Sequence, residues 1–162
     1  MNKLSSIAIA VSIMFLSGCN TVQYAPSDIT SIVKISGKTK TEIYSKARQW
    51  FSQTFVSGKS VVDYEDKEAG TIIGNSVADI GQGDLGFSNY AIDYNIRIDA
   101  KDGRMRVITK IISFTRTSVY DGKSNRADYV ADEQLLQANA YVDNIVKSLE
   151  NYIKSDKFAD DF

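Results

Sequence analysis

The chain has 162 residues, of which 43% are hydrophobic and 24% charged, with 19 basic and 20 acidic side chains. This composition is typical of one globular domain, and a formal net charge of -1 excludes a broadly basic nucleic-acid surface or a polybasic membrane patch. The sequence contains no histidine, which excludes the commonest general base, the commonest zinc ligand and every Ser-His or Cys-His catalytic arrangement.

Residues 1–18 predict an export signal that is removed from the mature protein. Lys3 supplies positive charge, and the apolar run Ile7–Leu16 is shorter than the roughly 20 residues of a bilayer-spanning helix. The run ends in Leu16-Ser17-Gly18-Cys19, which resembles the lipobox of bacterial lipoproteins. The resemblance implies cleavage before Cys19 and a covalent lipid on its thiol. The alternative is a buried, unmodified cysteine.

The lipid predicts where the protein resides. Each buried CH₂ contributes about 0.8 kcal/mol and stable attachment takes at least two acyl chains, a condition that a di- or triacylated Cys19 meets. Asn20 follows the cysteine instead of Asp, which in lipoproteins of the enterobacterial type implies export to the outer membrane. We therefore expect a lipid-anchored protein facing the periplasm, with no cofactor beyond the covalent lipid and no nucleic-acid partner.

The first part of the mature chain predicts a tether, a strand and a helix. Residues 19–28 contain the only proline and no periodic pattern, which indicates a short tether. Ile29–Ser36 is rich in β-branched residues and predicts a strand. Thr39 and Glu42 have the spacing of a capping box at a helix start. The predicted helix then runs through Val56, ends at Gly58, and carries one apolar face formed by Ile43, Ala47, Trp50, Phe51 and Phe55.

Four strands and a second helix are predicted to follow. The strands cover approximately 60–65, 70–79, 90–100 and 104–116. Asp102-Gly103 is a favoured two-residue hairpin turn, and it sets a register in which Asp99 faces Arg106, Arg97 faces Ile108 and Tyr94 faces Ile111. A polar loop over 119–128 leads to a helix over 132–154, which is followed by an acidic tail over 156–162.

The order β-α-β-β-β-β-α predicts one α+β domain over 29–155, an antiparallel sheet with both helices on one face. Three phrases in this order resemble the family called domain of unknown function 4468: TEIYSKARQWFSQTF, VVDYEDKEAGTIIG and IDAKDGRMRVIT. The resemblance covers about Ile29 to Phe114. It implies a TATA-binding-protein-like (TBP-like) fold and an envelope setting, and it implies no activity and no catalytic residues.

The remaining motifs give no indication of an enzyme or a metal site. The acidic hairpin at Asp63, Glu65, Asp66 and Glu68 lacks the spacing of an EF-hand, so a solvated turn is favoured over a calcium site. The sequence contains no G-x-S-x-G motif. We therefore expect no catalytic residues and no bound metal.

The uncovered face of the predicted sheet is the candidate partner surface. An apolar strip rimmed by mixed charge is typical of a site for another envelope protein or a second copy of the chain, unless the tether or a terminal segment covers it. The candidate residues are Asp93, Asn95, Arg97, Arg106, Ile108, Lys110 and Ile112, with Phe114 at the end of the strip. The alternative function is a small-ligand carrier with a pocket between sheet and helices, lined by Trp50, Tyr94, Ile96 and Leu149.

Overall fold

The computed structural model describes residues 21–25, 27–55, 61–83 and 86–155. The described part contains eight strands and two helices. In chain order they are β1 (Thr21–Gln23), β2 (Asp28–Lys34), α1 (Lys40–Thr54), β3 (Val61–Asp66), β4 (Thr71–Gln82), β5 (Ser88–Lys101), β6 (Arg104–Ser118), β7 (Ser124–Ala127), β8 (Tyr129–Ala131) and α2 (Asp132–Lys154). The predicted signal, Cys19, Gly58 and the acidic tail lie outside the described residues.

An antiparallel sheet of six strands forms the centre of the domain. Five strands follow the order β2-β6-β5-β4-β3, and the sixth, β7, pairs with β6. The edge of β6 that faces away from β5 is shared by two strands. β2 pairs with its first half, from Arg104 to Lys110, and β7 pairs with residues from Phe114 to Thr117. Both helices pack on the same side of this sheet, so the predicted α+β architecture is confirmed. We call the opposite side the open face.

Local sequence signals explain both helices. The Glu42 carboxylate accepts a hydrogen bond from the backbone N–H of Thr39 over 2.7 Å, and the Thr39 hydroxyl accepts one from the N–H of Glu42, which completes the predicted capping box. The apolar faces of α1 and α2 are buried against the sheet, and Trp50 donates from Nε1 to Ser148 Oγ over 3.1 Å between the two helices. α2 begins and ends at the predicted residues.

The predicted register of the β5–β6 hairpin is confirmed from Lys101–Arg104 to Tyr94–Ile111. Beyond that point a β-bulge shifts the pairing, so that Asp93 lies opposite Ser113. The extra residue leaves Ile112 on the open face and turns Phe114 to the helix side, where it is fully buried. Placing Phe114 at the end of the open strip was therefore wrong, whereas Ile112 is exposed there.

Two segments predicted to lack regular structure contain strands. β1 lies within the predicted tether and pairs with β8, and β7 lies within the predicted polar loop. Tyr24, just after β1, donates its hydroxyl hydrogen to the Ile111 carbonyl over 2.7 Å, and its ring meets Phe114 edge-on. Residues 21–25 of the predicted tether therefore belong to the described fold, because this aromatic contact fastens the segment to the helix side of the sheet.

Candidate functional site

A cluster of hydrogen bonds around Asp99 occupies the open face near the β5–β6 turn. Arg106, opposite Asp99 on β6, donates from Nη2 over 2.6 Å, and Arg97, two residues away on β5, donates from Nε over 2.9 Å. Thr71 on β4 adds a hydroxyl donor at 3.0 Å. Strand pairing places Thr71, Asp99 and Arg106 in one row across the sheet. Each of three strands thus contributes one donor residue to the carboxylate of Asp99.

The electrostatic state of this cluster is set by those donors. The Asp99 side chain is only 12% exposed, and this burial by itself raises a carboxyl pKa. The hydrogen bonds from Arg106, Arg97 and Thr71 oppose burial and leave the pKa of Asp99 below its usual value. Asp99 is therefore a carboxylate at neutral pH, and it holds both guanidinium groups in place on the sheet surface.

Basic side chains outnumber acidic ones around Asp99. A depression of about 210 Å³ is lined there by Ile32, Asp99, Lys101, Arg104, Met105 and Arg106. Lys34, at the end of β2, lies opposite Arg104 and is exposed. Asp102, the other nearby acid, accepts a hydrogen bond from the backbone N–H of Lys40 at the start of α1. This corner of the open face is locally positive, although the chain as a whole is not.

Exposed apolar side chains lie on the same face as these charges. Ile32 is 69% exposed and lies opposite Arg106. Tyr64 on β3 and Ile112 at the bulge are also exposed. Ile108, between Thr30 and Arg97 in its row, is half-buried. The combination of exposed apolar groups with ordered charges has the composition of a protein-binding surface.

The other predicted site residues continue this face away from the turn. Asn95 donates to Asn75 over 3.0 Å, and Asn75 donates to Asp63 on β3. Asp93 accepts a hydrogen bond from Ser113 over 2.6 Å. Lys110 lies opposite Asn95 and is exposed. All seven predicted sheet residues therefore share the open face, in one strip from the turn to the bulge, while Cys19 lies outside the described residues.

Two residues that now stand out, Ile32 and Asp99, are absent from the predicted partner surface. Asp99 was predicted only to face Arg106 across the hairpin. Ile32 joins the site because β2 pairs with β6, and no local pattern indicates that pairing. The alternation of Thr30, Ile32 and Lys34 along β2 was the available signal, since it separates an outward-facing set from a buried one.

No described segment other than the sheet's own strands covers the open face. The N-terminal segment packs on the other side, since Tyr24 contacts Phe114 and the Ile111 carbonyl there. The described part of the predicted tether therefore does not mask the candidate surface.

The layer between sheet and helices is filled by protein side chains. Trp50, Tyr94, Ile96 and Leu149 are each at most 2% exposed. The Tyr94 hydroxyl lies 3.3 Å from that of Tyr141, and burial, followed by this hydrogen bond, raises the pKa of Tyr94. A ligand at the predicted carrier pocket has to displace these packed groups, so the geometry gives the carrier alternative no support.

Among the described residues, acidic side chains form no group of three or more that could hold a metal ion. None of the helices in that part of the chain is long and apolar enough to cross a membrane.

Comparison with known proteins gives a family and a fold. The family described as a domain of unknown function (DUF4468) with TBP-like fold matches residues 30–115. A TBP-like protein from Parabacteroides distasonis ATCC 8503 is 20% identical, with a TM-score of 0.66 over 85% of this chain and 99% of that one. A DUF4468 family protein from Bacteroides ovatus ATCC 8483 is 14% identical, with a TM-score of 0.59 over 79% and 86%. No curated protein matches the sequence.

Proposed function

The chain belongs to the DUF4468 family with a TBP-like fold, and we propose that it is a non-enzymatic, lipid-anchored protein of the bacterial cell envelope. Its lipid is attached to Cys19 and holds the domain at the outer membrane, on the periplasmic side. Its open face binds an acidic, partly apolar segment of another envelope protein. The lipobox-like sequence Leu16-Ser17-Gly18-Cys19 supports the anchoring part of this proposal.

The observation that carries the binding part is the exposure of Ile32 among basic side chains. An isoleucine on a sheet surface loses its contact with water when a partner covers it, which contributes about 25 cal/mol per Å² of buried apolar area. The surrounding cations are Lys34, Arg97, Lys101, Arg104 and Arg106, and they outnumber the carboxylates of Asp99 and Asp102. A partner that offers one apolar side chain and several carboxylates complements both features.

The hydrogen bonds that fix the side chains around Asp99 favour a binding surface over a surface of mobile, solvated charges. Arg97 and Arg106 are already held by Asp99, so their remaining N–H groups are oriented before a partner arrives. This preorganisation lowers the conformational entropy lost on binding. Lys101 and Arg104 have no ion pair among the described residues and supply the uncompensated positive charge.

The binding surface is tested by photocrosslinking in cells that produce the full chain. A photoreactive amino acid at position 32 should form a discrete adduct with an envelope protein, through a peptide rich in Asp or Glu. The double charge reversal Lys101→Glu/Arg104→Glu should lower the adduct yield roughly tenfold, the effect of about 1.4 kcal/mol of lost attraction. Because these two side chains are exposed, the thermal midpoint should change little.

The matched control places the same photoreactive group at Lys147, an exposed position on α2. The same adduct from position 147, or an adduct at position 32 that survives charge reversal, contradicts the surface assignment. Anchoring is tested separately by mass spectrometry of the mature N-terminal peptide, which should begin at Cys19 and carry diacylglyceryl and acyl groups. A precursor with Cys19→Ser should keep its signal and lack the lipid.

A further inference from the structure

The large, exposed apolar side chains of the described residues fall into two groups. The first, on the open face, consists of Ile32, Tyr64 and Ile112. The second lies at the end of the sheet where β4 and β6 finish, and we call it the aromatic end. It consists of Phe87, Val119, Tyr120, Tyr129 and Leu136.

Specific contacts bring the members of the aromatic end together. The backbone N–H of Val119 donates to the Phe87 carbonyl over 3.1 Å, and the Phe87 and Tyr120 rings are 5.7 Å apart. Tyr129 lines a depression together with Ser118 and Lys123, next to the same turn. Two loops and the start of β8 thus form one surface, on which Tyr120 is 79% exposed.

The first described residues lie at this end. Thr21 pairs with Ala131, the residue directly before α2, and Leu136 lies in the second turn of that helix. On the sheet side, a Cβ added at Gly83 would lie 3.7 Å from the Gln134 side chain, so the end of β4 adjoins the same helix start. Cys19 precedes Thr21 by only two residues, a separation of at most about 7 Å between their Cα atoms.

We propose that the aromatic end rests in the headgroup region of the bilayer that holds the Cys19 lipid. The inference rests on the proposed anchorage, because a lipid at Cys19 cannot leave the neighbourhood of Thr21. Tyrosine and phenylalanine side chains suit this region, where apolar rings enter the acyl boundary and hydroxyls stay hydrated. Four of the five side chains in this surface lie in loops or beside them, where they meet a membrane without unfolding the sheet.

The charges around the aromatic end indicate how it contacts lipid. Lys123 is 3.5 Å from Asp121, and Arg126 is 3.9 Å from Asp128. Asp132 and Glu133 in the first turn of α2 add further negative charge. Because cations do not exceed anions here, the contact is made by apolar and aromatic groups and does not require anionic lipid.

The test maps which residues touch lipid in the full lipidated protein. The protein is reconstituted into phosphatidylcholine vesicles that contain a photoactivatable phosphatidylcholine, and adducts are located by mass spectrometry. We expect adducts at Phe87 and between Val119 and Tyr129, with equal yield when part of the lipid is replaced by phosphatidylglycerol. The variant Phe87→Ser/Tyr120→Ser/Tyr129→Ser should lose them, whereas the open-face control Ile32→Ser/Tyr64→Ser should keep them.

Adducts centred on Ile32 and Tyr64, adducts spread evenly over the surface, or labelling that requires phosphatidylglycerol would each overturn the inference. Failure of the anchorage is detected independently, since intact mass shows whether Cys19 carries lipid. If it carries none, a maleimide phospholipid coupled to Cys19, the only cysteine, allows the same mapping. The orientation is then decided even though the proposed natural anchorage has failed.

Discussion

Asp99 and Arg106 lie directly opposite each other on β5 and β6, and the Arg106 Nη2 atom is 2.6 Å from Asp99 Oδ2. This pair is the most ordered ionic contact of the open face, because Arg97 and Thr71 donate to the same carboxylate. Its contribution to folding depends on the protonation of one group. It therefore gives a pH dependence whose sign follows from the structure.

The pKa of Asp99 is lowered by folding, so its contribution to the free energy of unfolding is complete above the unfolded-state value of about 4. The contribution is lost as the pH falls through the lower, folded-state pKa. We expect Asp99→Asn to be less stable than the parent at pH 7, and the difference to shrink between pH 5 and 2. Urea unfolding at several pH values measures it. A difference that stays constant from pH 7 down to pH 2 would contradict this prediction.

The bulge on β6 predicts unequal effects at two neighbouring apolar residues. Phe114→Ala should lower the free energy of unfolding by about 3–5 kcal/mol, because a fully buried ring is replaced by a cavity. Ile112→Ser should change it by about 0.5 kcal/mol or less, since the side chain is exposed. Denaturant unfolding of both variants checks the register, and equal costs would contradict it.

Gly70 and Gly103 have similar positive φ angles, 76° and 70°, but different surroundings. A Cβ at Gly103 meets nothing within 4 Å, so Gly103→Ala should cost only the left-handed backbone strain of roughly 1–2 kcal/mol. A Cβ at Gly70 lies 2.8 Å from the Ala100 carbonyl oxygen. Gly70→Ala should therefore cost about 1–3 kcal/mol more than Gly103→Ala in the same unfolding assay. Similar losses of unfolding free energy in the two variants would mean that the turn at Gly70 can shift to relieve the close contact.

Substitutions of Tyr24 test how firmly residues 21–25 are attached to the rest of the domain. Tyr24→Phe removes the hydrogen bond to the Ile111 carbonyl and should cost about 0.5–1.5 kcal/mol. Tyr24→Ala also removes the contact with Phe114 and should cost more. It should in addition speed limited proteolysis before Asp28. If Tyr24→Ala leaves stability and cleavage unchanged, the segment behaves as the tether that its sequence suggested.

Substitution of Leu149 tests whether the space between the sheet and the helices is filled. Leu149→Ala should lower the free energy of unfolding by about 2–5 kcal/mol and create a cavity there. Small apolar molecules such as benzene should then stabilise the variant but not the parent, as shown by their thermal midpoints. Stabilisation of the parent by the same molecules would revive the carrier alternative.

The features that the sequence predicted have strong local signals. Asp102-Gly103 defines a two-residue turn, and the register from Lys101 to Tyr94 follows from it without any distant contact. The capping box at Thr39 and the apolar stripe of α2 are local in the same sense. The family resemblance added the fold, which the match over residues 30–115 confirms.

The features that the sequence did not predict depend on distant partners. β1 and β8 have three residues each and pair across more than a hundred positions, so no alternation marks them. The bulge at Ile112 carries no glycine or other local signal, and it alone decides which way Phe114 points. Ile32 joined the site only through the pairing of β2 with β6. The candidate surface was thus predicted as a strip along β5 and β6 but not across to β2.

The length of β5 sets the distance between the aromatic end and the partner surface. Eleven residues separate Ser88, beside the aromatic end, from Asp99, and at 3.2–3.4 Å per residue this distance is about 35 Å. β5 is hydrogen-bonded on both sides, to β4 and β6, so it cannot fold back or stretch. Under the proposed anchorage the sheet itself acts as a rigid spacer, and it fixes the height above the bilayer at which Ile32 and Asp99 are presented.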